Sequence, residues 1–159
     1  MAVIRKVLCP VDFSKTSGHA FIYAAAIAQQ FEAELTVLHV IEAVPLPTAY
    51  DGAPFVDTVR EADKYAEKEL ARLLGSVDAG KPRVRGAIAH GETHNAILNF
   101  AKQNDMDLIV IGKHGRKKLE FWLFGSVTER VIRHAACPVM VVQNPESVKP
   151  SKKPKRSSS

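Results

Sequence analysis

The chain is short of cysteine, has no long apolar run and carries no acid at its C-terminal end; each shortage removes a class of function. Cys9 and Cys137 are the only cysteines among 159 residues. Each adjoins a proline beside an apolar run, and neither belongs to a CxxC pair or to a set of ligands at metal spacing. A disulfide scaffold and a metal site are set aside on that ground, and both thiols read as small buried hydrophobes in a reducing compartment. No apolar stretch approaches the ~20 residues that cross a bilayer. The opening MAVIRKVLCPVDFS has no signal-peptide layout. The expectation is a cytoplasmic protein with no membrane partner.

The missing C-terminal acids decide how the net charge of +5 is read. Lys149, Lys152, Lys153, Lys155 and Arg156 supply all of it, so residues 1–148 are neutral and show no bias towards polyanions. Residues 145–159 are rich in Pro, Ser and Lys, cannot repay their ordering entropy, and are expected to be a disordered basic tail. The KKPKR run could touch nucleic acid or an anionic surface non-specifically, act as a nuclear signal, or simply keep the chain soluble. No function is assigned to it. The remainder, residues 1–144, has the length of one domain and the ordinary apolar and charged content of a globular protein.

Apolar runs and helical periodicities alternate along this domain. Residues 3–11, VIRKVLCPV, read as a buried first strand. Ala20, Phe21, Ala24, Ile27, Ala28 and Phe31 fall at helical spacing after Ser14 or Ser17, either of which can cap. Residues 34–41, ELTVLHVI, form a second strand, and a segment with Pro45, Pro47 and Pro54 is too proline-rich for regular structure. A charged amphipathic helix over 57–74 turns Val59, Ala62, Ala66, Leu70, Leu73 and Leu74 inward, and 83–89 is a third strand. Helix 93–104, strand 107–111, helix 127–135 and strand 138–142 complete the pattern. Such alternation predicts an α/β fold: a doubly wound, five-stranded parallel sheet with helices on both faces.

In open α/β sheets ligands bind beyond the carboxyl ends of the strands. Two segments lie there. One is Pro10-Val11-Asp12. The other follows Ile111 and runs from Gly112 to Ser126, with Gly115, Gly125 and the cations Lys113, Arg116, Lys117 and Lys118 inside it. Glycines let a backbone turn sharply and approach an anion closely. Gly125-Ser126 opens a helix whose free N–H groups favour negative charge. Ser126-Val127-Thr128-Glu129 also reads as a capping box, so the Ser126 hydroxyl has two candidate tasks, cap and phosphate contact. A glycine pair alone is weak, since glycines are common at strand–helix junctions and basic loops are usually just solvated. The loop is neither a Walker A nor a GxGxxG sequence.

The spacing G-x2-G-x9-G-S, with VLCPVDFS, LTVLHV, DLIVIGKHGR and FGSVTERVIRHAACPVMVV around it, resembles the ATP-binding branch of the universal stress protein family over residues 3–143. The resemblance implies a Rossmann-like sheet of order 3-2-1-4-5 and a homodimer paired through the last strand, 138–142. It implies ATP, with magnesium, as the ligand. Asp12 would meet adenine or ribose, with Pro10 beside it. Val11 and Val40 would line the adenine pocket. Ile111 would lead into Gly112, Gly115, Gly125 and Ser126, which would hold the phosphates, with Val127 and Thr128 nearby and His114 and Arg116 in the same loop. Lys117-Lys118 is more basic than the family's usual loop.

Other residues read more plainly. His39 is a packed strand histidine, and His90 and His94, without a third metal ligand, are loop histidines in a strand-to-helix turn that could rim the site. Phe121, Trp122, Leu123 and Phe124 could cover the nucleotide, pack beneath the loop or meet a partner. No catalytic base and no Walker B acid is found, so the favoured function is a nucleotide-binding regulator in the stress response. A slow ATP hydrolase and a nucleotide-free interaction module are the alternatives.

Overall fold

The computed structural model describes residues 3–42, 53–78, 82–113 and 124–143, and side chains from 57 onward in the second of these segments. Strands and helices alternate as β1 (Lys6–Pro10), α1 (Lys15–Gln30), β2 (Glu34–Ile41), α2 (Ala53–Leu74), β3 (Arg83–His90), α3 (Thr93–Gln103), β4 (Leu108–Gly112), α4 (Ser126–His134) and β5 (Val139–Val142). The five strands form one sheet in the order β3-β2-β1-β4-β5. Every neighbouring pair is parallel, in registers such as Val7 with Leu35 and Val7 with Leu108. This is the Rossmann-like arrangement expected from the sequence.

The period-2 geometry of a strand divides the core between the two faces. Val7, Cys9, Leu108 and Val110 pack with Ala20, Phe21, Ala24 and Ala28 of α1 and Leu70 of α2. Leu8, Ile109 and Ile111 pack on the other face with Ile97 and Ala101 of α3 and Val131 of α4. β4 is buried along its whole length, which is why its sequence shows no polar alternation.

Helix ends follow local chemistry. Ser14 caps α1, its side chain accepting from the Ser17 N–H. Glu32 and Asp105 hold left-handed backbones just past α1 and α3, at φ 52° and 50°. Around them Ala33 N–H donates to Ala28 O at 2.8 Å and Met106 N–H to Ala101 O at 2.9 Å, the long bonds of two Schellman motifs. Phe31, expected inward, is the C-cap of α1 and 53% exposed. Pro54 lies inside α2 rather than in a loop. It sits in the first turn, where its missing N–H has no intrahelical partner to lose.

Two features place the site. From β1 the chain winds outward to β2 and β3, with α1 and α2 on one face. It then crosses to β4 and β5 by α3 and α4 on the other. The segments leaving β1 and β4 therefore diverge to opposite faces and open a crevice at their carboxyl ends. At the opposite end of the same strands, Asp107 Oδ2 accepts from the Arg5 and Lys6 N–H groups, both at 2.9 Å, and ties β1 to the start of β4.

Candidate functional site

A cavity of about 520 Å³ fills the crevice. β1 and its extension supply Pro10, Val11 and Asp12; β2 supplies Leu38, His39, Val40 and Ile41, followed by Glu42; β4 supplies Ile111 and Gly112. Gly125, Ser126, Val127 and Thr128 come from the start of α4, Thr93 and Ile97 from α3, Ala62 and Tyr65 from α2, and Ser17 from α1. The structure thus brings Pro10, Val11, Asp12, Val40, Ile111, Gly112, Gly125, Ser126, Val127 and Thr128 around one space. His114, Gly115 and Arg116 lie outside the described residues, as do Lys117, Lys118, Phe121, Trp122 and Leu123.

The β1 side is built by backbone bonds and rings. Val11 N–H donates to Leu38 O at 2.8 Å, extending the pairing of β1 with β2 by one residue. His39 Nδ1 lies 2.8 Å from the Val11 carbonyl. A carbonyl can only accept, so this contact fixes the ring proton on Nδ1. The His39 ring stacks on Phe13 at 4.4 Å, and Phe13 meets the edge of Tyr65 at 6.1 Å. Phe13 has a left-handed backbone at φ 63°. Such a conformation costs about 1–2 kcal/mol, and aromatic pairs return a comparable amount, about 0.5–1.5 kcal/mol each. Asp12 immediately precedes Phe13 and braces this turn: its Oδ1 accepts from Ser14 N–H at 3.0 Å and its N–H donates to Ser17 Oγ at 3.3 Å. Asp12 is thus both a local acid at the start of α1 and a wall of the cavity.

The β4 side is held by α4. Lys113 N–H donates to Val142 O at 2.8 Å, and Gly125 N–H returns to Lys113 O at 2.9 Å, closing the intervening chain at its base. Buried Thr128 donates its hydroxyl to Gly112 O at 2.8 Å. The capping box expected at Ser126 does not form. Gly125 is the N-cap, at φ −65° and ψ 155°, and provides no side-chain bond; Glu129 pairs with Arg133 at 2.8 Å instead. Docking of Thr128 onto Gly112 accounts for this, because it draws the helix start back to Ser126. The first backbone bond of α4 runs from Glu129 N–H to Gly125 O at 2.9 Å. The N–H groups of Ser126, Val127 and Thr128 therefore have no intrahelical acceptor, and all three residues line the cavity.

Gly112 also has a packing reason that the sequence did not show. A Cβ there would lie 2.9 Å from Thr16 Cγ2 and 3.2 Å from the Thr16 backbone C and O atoms. The glycine lets α1 pack onto the end of β4, whatever the loop beyond it contacts.

Several lining residues carried no sequence signal. Glu42, Ala62, Tyr65 and Ile97 stand on segments remote from both candidate loops, and only the winding of the sheet gathers them. His39, read as a packing residue, both packs on Phe13 and lines the cavity. His90 pairs with Asp63 at 2.8 Å and His94 with Glu92 at 3.2 Å. No cluster of metal-ligating side chains occurs among the described residues.

The family model of the universal stress proteins matches residues 4–143. The chain belongs to the universal stress protein family. Universal stress protein MJ0531 of Methanocaldococcus jannaschii is 32% identical over 145 residues, which span 89% of this chain and 84% of that one. The structure of universal stress protein UspA from Lactobacillus plantarum superposes with a TM-score of 0.77 at 31% identity, covering 89% of this chain and 99% of that one. A further universal stress protein, in complex with cAMP, superposes at 0.60 with 24% identity over 88% and 97% of the two chains and shows the shared fold. No helix among the described residues of this universal stress protein is long and apolar enough to cross a membrane.

Proposed function

We propose that this universal stress protein binds ATP, with magnesium, in the cavity above β1, β2 and β4, and that occupancy is read by a partner or by the dimer state. The observation that carries the reading is a pair of complementary ends in one cavity. Val11 N–H bonds to Leu38 O, and Gly91 N–H bonds to Ile41 O. In a parallel sheet successive residues address opposite neighbours, so Val40 directs its N–H and C=O to the β1 side. There β1 has already turned away at Asp12. One donor and one acceptor on a single residue match N1 and the 6-amino group of adenine, and oppose the reversed pattern of guanine. The N–H groups at the start of α4 that lack an intrahelical acceptor lie two strand spacings away, about 10 Å, and suit phosphate.

Val11, Leu38 and Val40 flank the base in this reading, and Asp12 receives the ribose hydroxyls. Gly112, Gly125 and Ser126, with Gly115, His114 and Arg116 of the loop, hold the phosphates. Magnesium would come with the nucleotide and offset phosphate charge, as no group of metal-ligating side chains occurs among the described residues. A cAMP complex of a universal stress protein supports an adenine nucleotide as the ligand class. Hydrolysis is not part of the reading. Gly112 stands where a metal-holding acid would follow β4, and the Thr128 hydroxyl is committed to the Gly112 carbonyl. β5 is an edge strand with Met140 exposed, and pairing with β5 of a second copy would cover it. A nucleotide ligand and two cysteines with no disulfide, Cys9 and Cys137, support a cytoplasmic setting for this reading.

Denaturing the purified protein and separating the released small molecules tests the ligand. An adenine nucleotide is expected in the extract. A protein that carries none and fails to take up added magnesium-ATP contradicts the proposal.

A further inference from the structure

A charged bridge joins the starts of α3 and α4, next to residues that line the cavity. Arg130 Nη1 lies 3.1 Å from Glu92 Oε1 and 3.5 Å from His94 Nδ1. His94 Nδ1 is itself 3.2 Å from the same carboxylate oxygen. Both ends of the bridge adjoin the cavity wall. Glu92 immediately precedes Thr93, and Arg130 stands one helical turn after Ser126; Thr93 and Ser126 both line the space. Helical side chains lean towards the N-terminus of their helix, so the Arg130 stem lies over Ser126 and Val127.

Glu92 is in an unusual situation for its position. It is the N-cap residue of α3, yet its side chain makes no cap bond. One oxygen faces Arg130 and His94, and the other accepts from Asn95 Nδ2 at 2.8 Å. The carboxylate is aimed towards α4 instead of at its own helix terminus. Arg130 and Glu92 are 54% and 55% exposed, a setting in which an ion pair adds little to stability and is easily exchanged. The other arginine on α4, Arg133, pairs within its own helix with Glu129 and bridges nothing.

Resting on the nucleotide reading above, we infer that Arg130 reads the length of the phosphate chain, and that Glu92 holds its guanidinium at the rim until a terminal phosphate replaces the carboxylate. A single phosphate seated at Gly112 and the start of α4 ends short of the rim. A triphosphate continues towards it. There the guanidinium exchanges one carboxylate oxygen, already shared with His94, for a more highly charged group with several acceptor oxygens. Glu92 then opposes full occupancy, since a triphosphate must draw the guanidinium away from it, whereas AMP leaves the pair intact.

The test compares equilibrium binding of magnesium-ATP and of AMP to the full chain and to Arg130→Gln, Glu92→Gln and Arg133→Gln, with melting temperature as the check on folding. Arg130→Gln is expected to weaken ATP about tenfold or more while leaving AMP within about twofold. Glu92→Gln is expected to tighten ATP more than AMP, and Arg133→Gln to leave the ratio of the two affinities unchanged. If Arg130→Gln shifts ATP and AMP equally, shifts neither, or behaves as Arg133→Gln does, Arg130 is not the reader. A parent chain that binds neither nucleotide overturns the nucleotide reading itself. A parent chain that binds both, with an unchanged ratio in every variant, overturns only the inference about Arg130.

Discussion

Thr128 Oγ1 donates a buried 2.8 Å hydrogen bond to the carbonyl of Gly112, joining the start of α4 to the end of β4. This bond fixes the helix terminus over the cavity and explains why the sequence pattern of a capping box at Ser126 is not realised. Thr128→Val keeps the shape of the side chain and removes the donor. It is expected to cost about 1–3 kcal/mol, the price of a buried carbonyl left unpaired, and to weaken ATP binding. Thr128→Ser should retain most of both. Chemical denaturation and nucleotide titration of the two variants check this; a loss in the Ser variant with none in the Val variant would place the effect in the methyl group instead.

Gly112→Ala should destabilise through α1, not through the loop. Its Cβ meets the Thr16 backbone, which cannot swing aside as a flexible side chain would, at 3.2 Å. A loss of about 1–3 kcal/mol is expected, typical of overpacking. The second variant Thr16→Ser removes the Cγ2 atom that lies at 2.9 Å, and should recover only part of the loss. Full recovery in the double variant would show that the backbone contact is not limiting.

Glu32 and Asp105 adopt left-handed backbones that side chains disfavour. Glu32→Gly and Asp105→Gly should each raise stability by up to about 1 kcal/mol, because the strain removed exceeds the entropy that glycine adds to the unfolded chain. Glycine placed at Gln29, inside α1, provides the contrast and should lower stability by about 1 kcal/mol. Thermal unfolding distinguishes the two directions.

The two cysteines should react in sequence. Burial pushes the Cys9 thiol far above its ordinary range, and burial also raises the half-buried Cys137. Reaction needs thiolate and access together. In the native protein at neutral pH a thiol reagent should modify Cys137 slowly and Cys9 only after denaturant is added. Rapid native labelling of Cys9 would show that the core around β1 opens.

The fold was legible because its signals are local. β4, LIVIG, is continuously apolar because helices cover both faces, and the periodicities of α1, α2 and α3 mark their inward sides. Errors fell where one long-range contact overrides a local pattern. The Ser126 box yielded to Thr128 on Gly112, and Pro54 proved compatible with a first turn. Of the cavity, the ends of β1 and β4 were visible as strand-to-helix junctions with special residues. Val40 entered only through the family resemblance, since nothing local shows that its backbone outlasts its β1 neighbour. Tyr65 and Glu42 were not legible, because their place on the wall depends on how α2 and β2 converge in space; Thr93 belongs to the His90–His94 turn that the sequence offered as a rim.

The most direct measurement is an equilibrium titration of the nucleotide-free protein with magnesium-ATP and, separately, with magnesium-GTP. Saturable binding of one ATP per chain, with GTP markedly weaker because its base reverses the donor and acceptor that Val40 addresses, is the expected result. Absence of saturable ATP binding, or equal affinity for GTP, would contradict the assignment of the cavity to an adenine nucleotide.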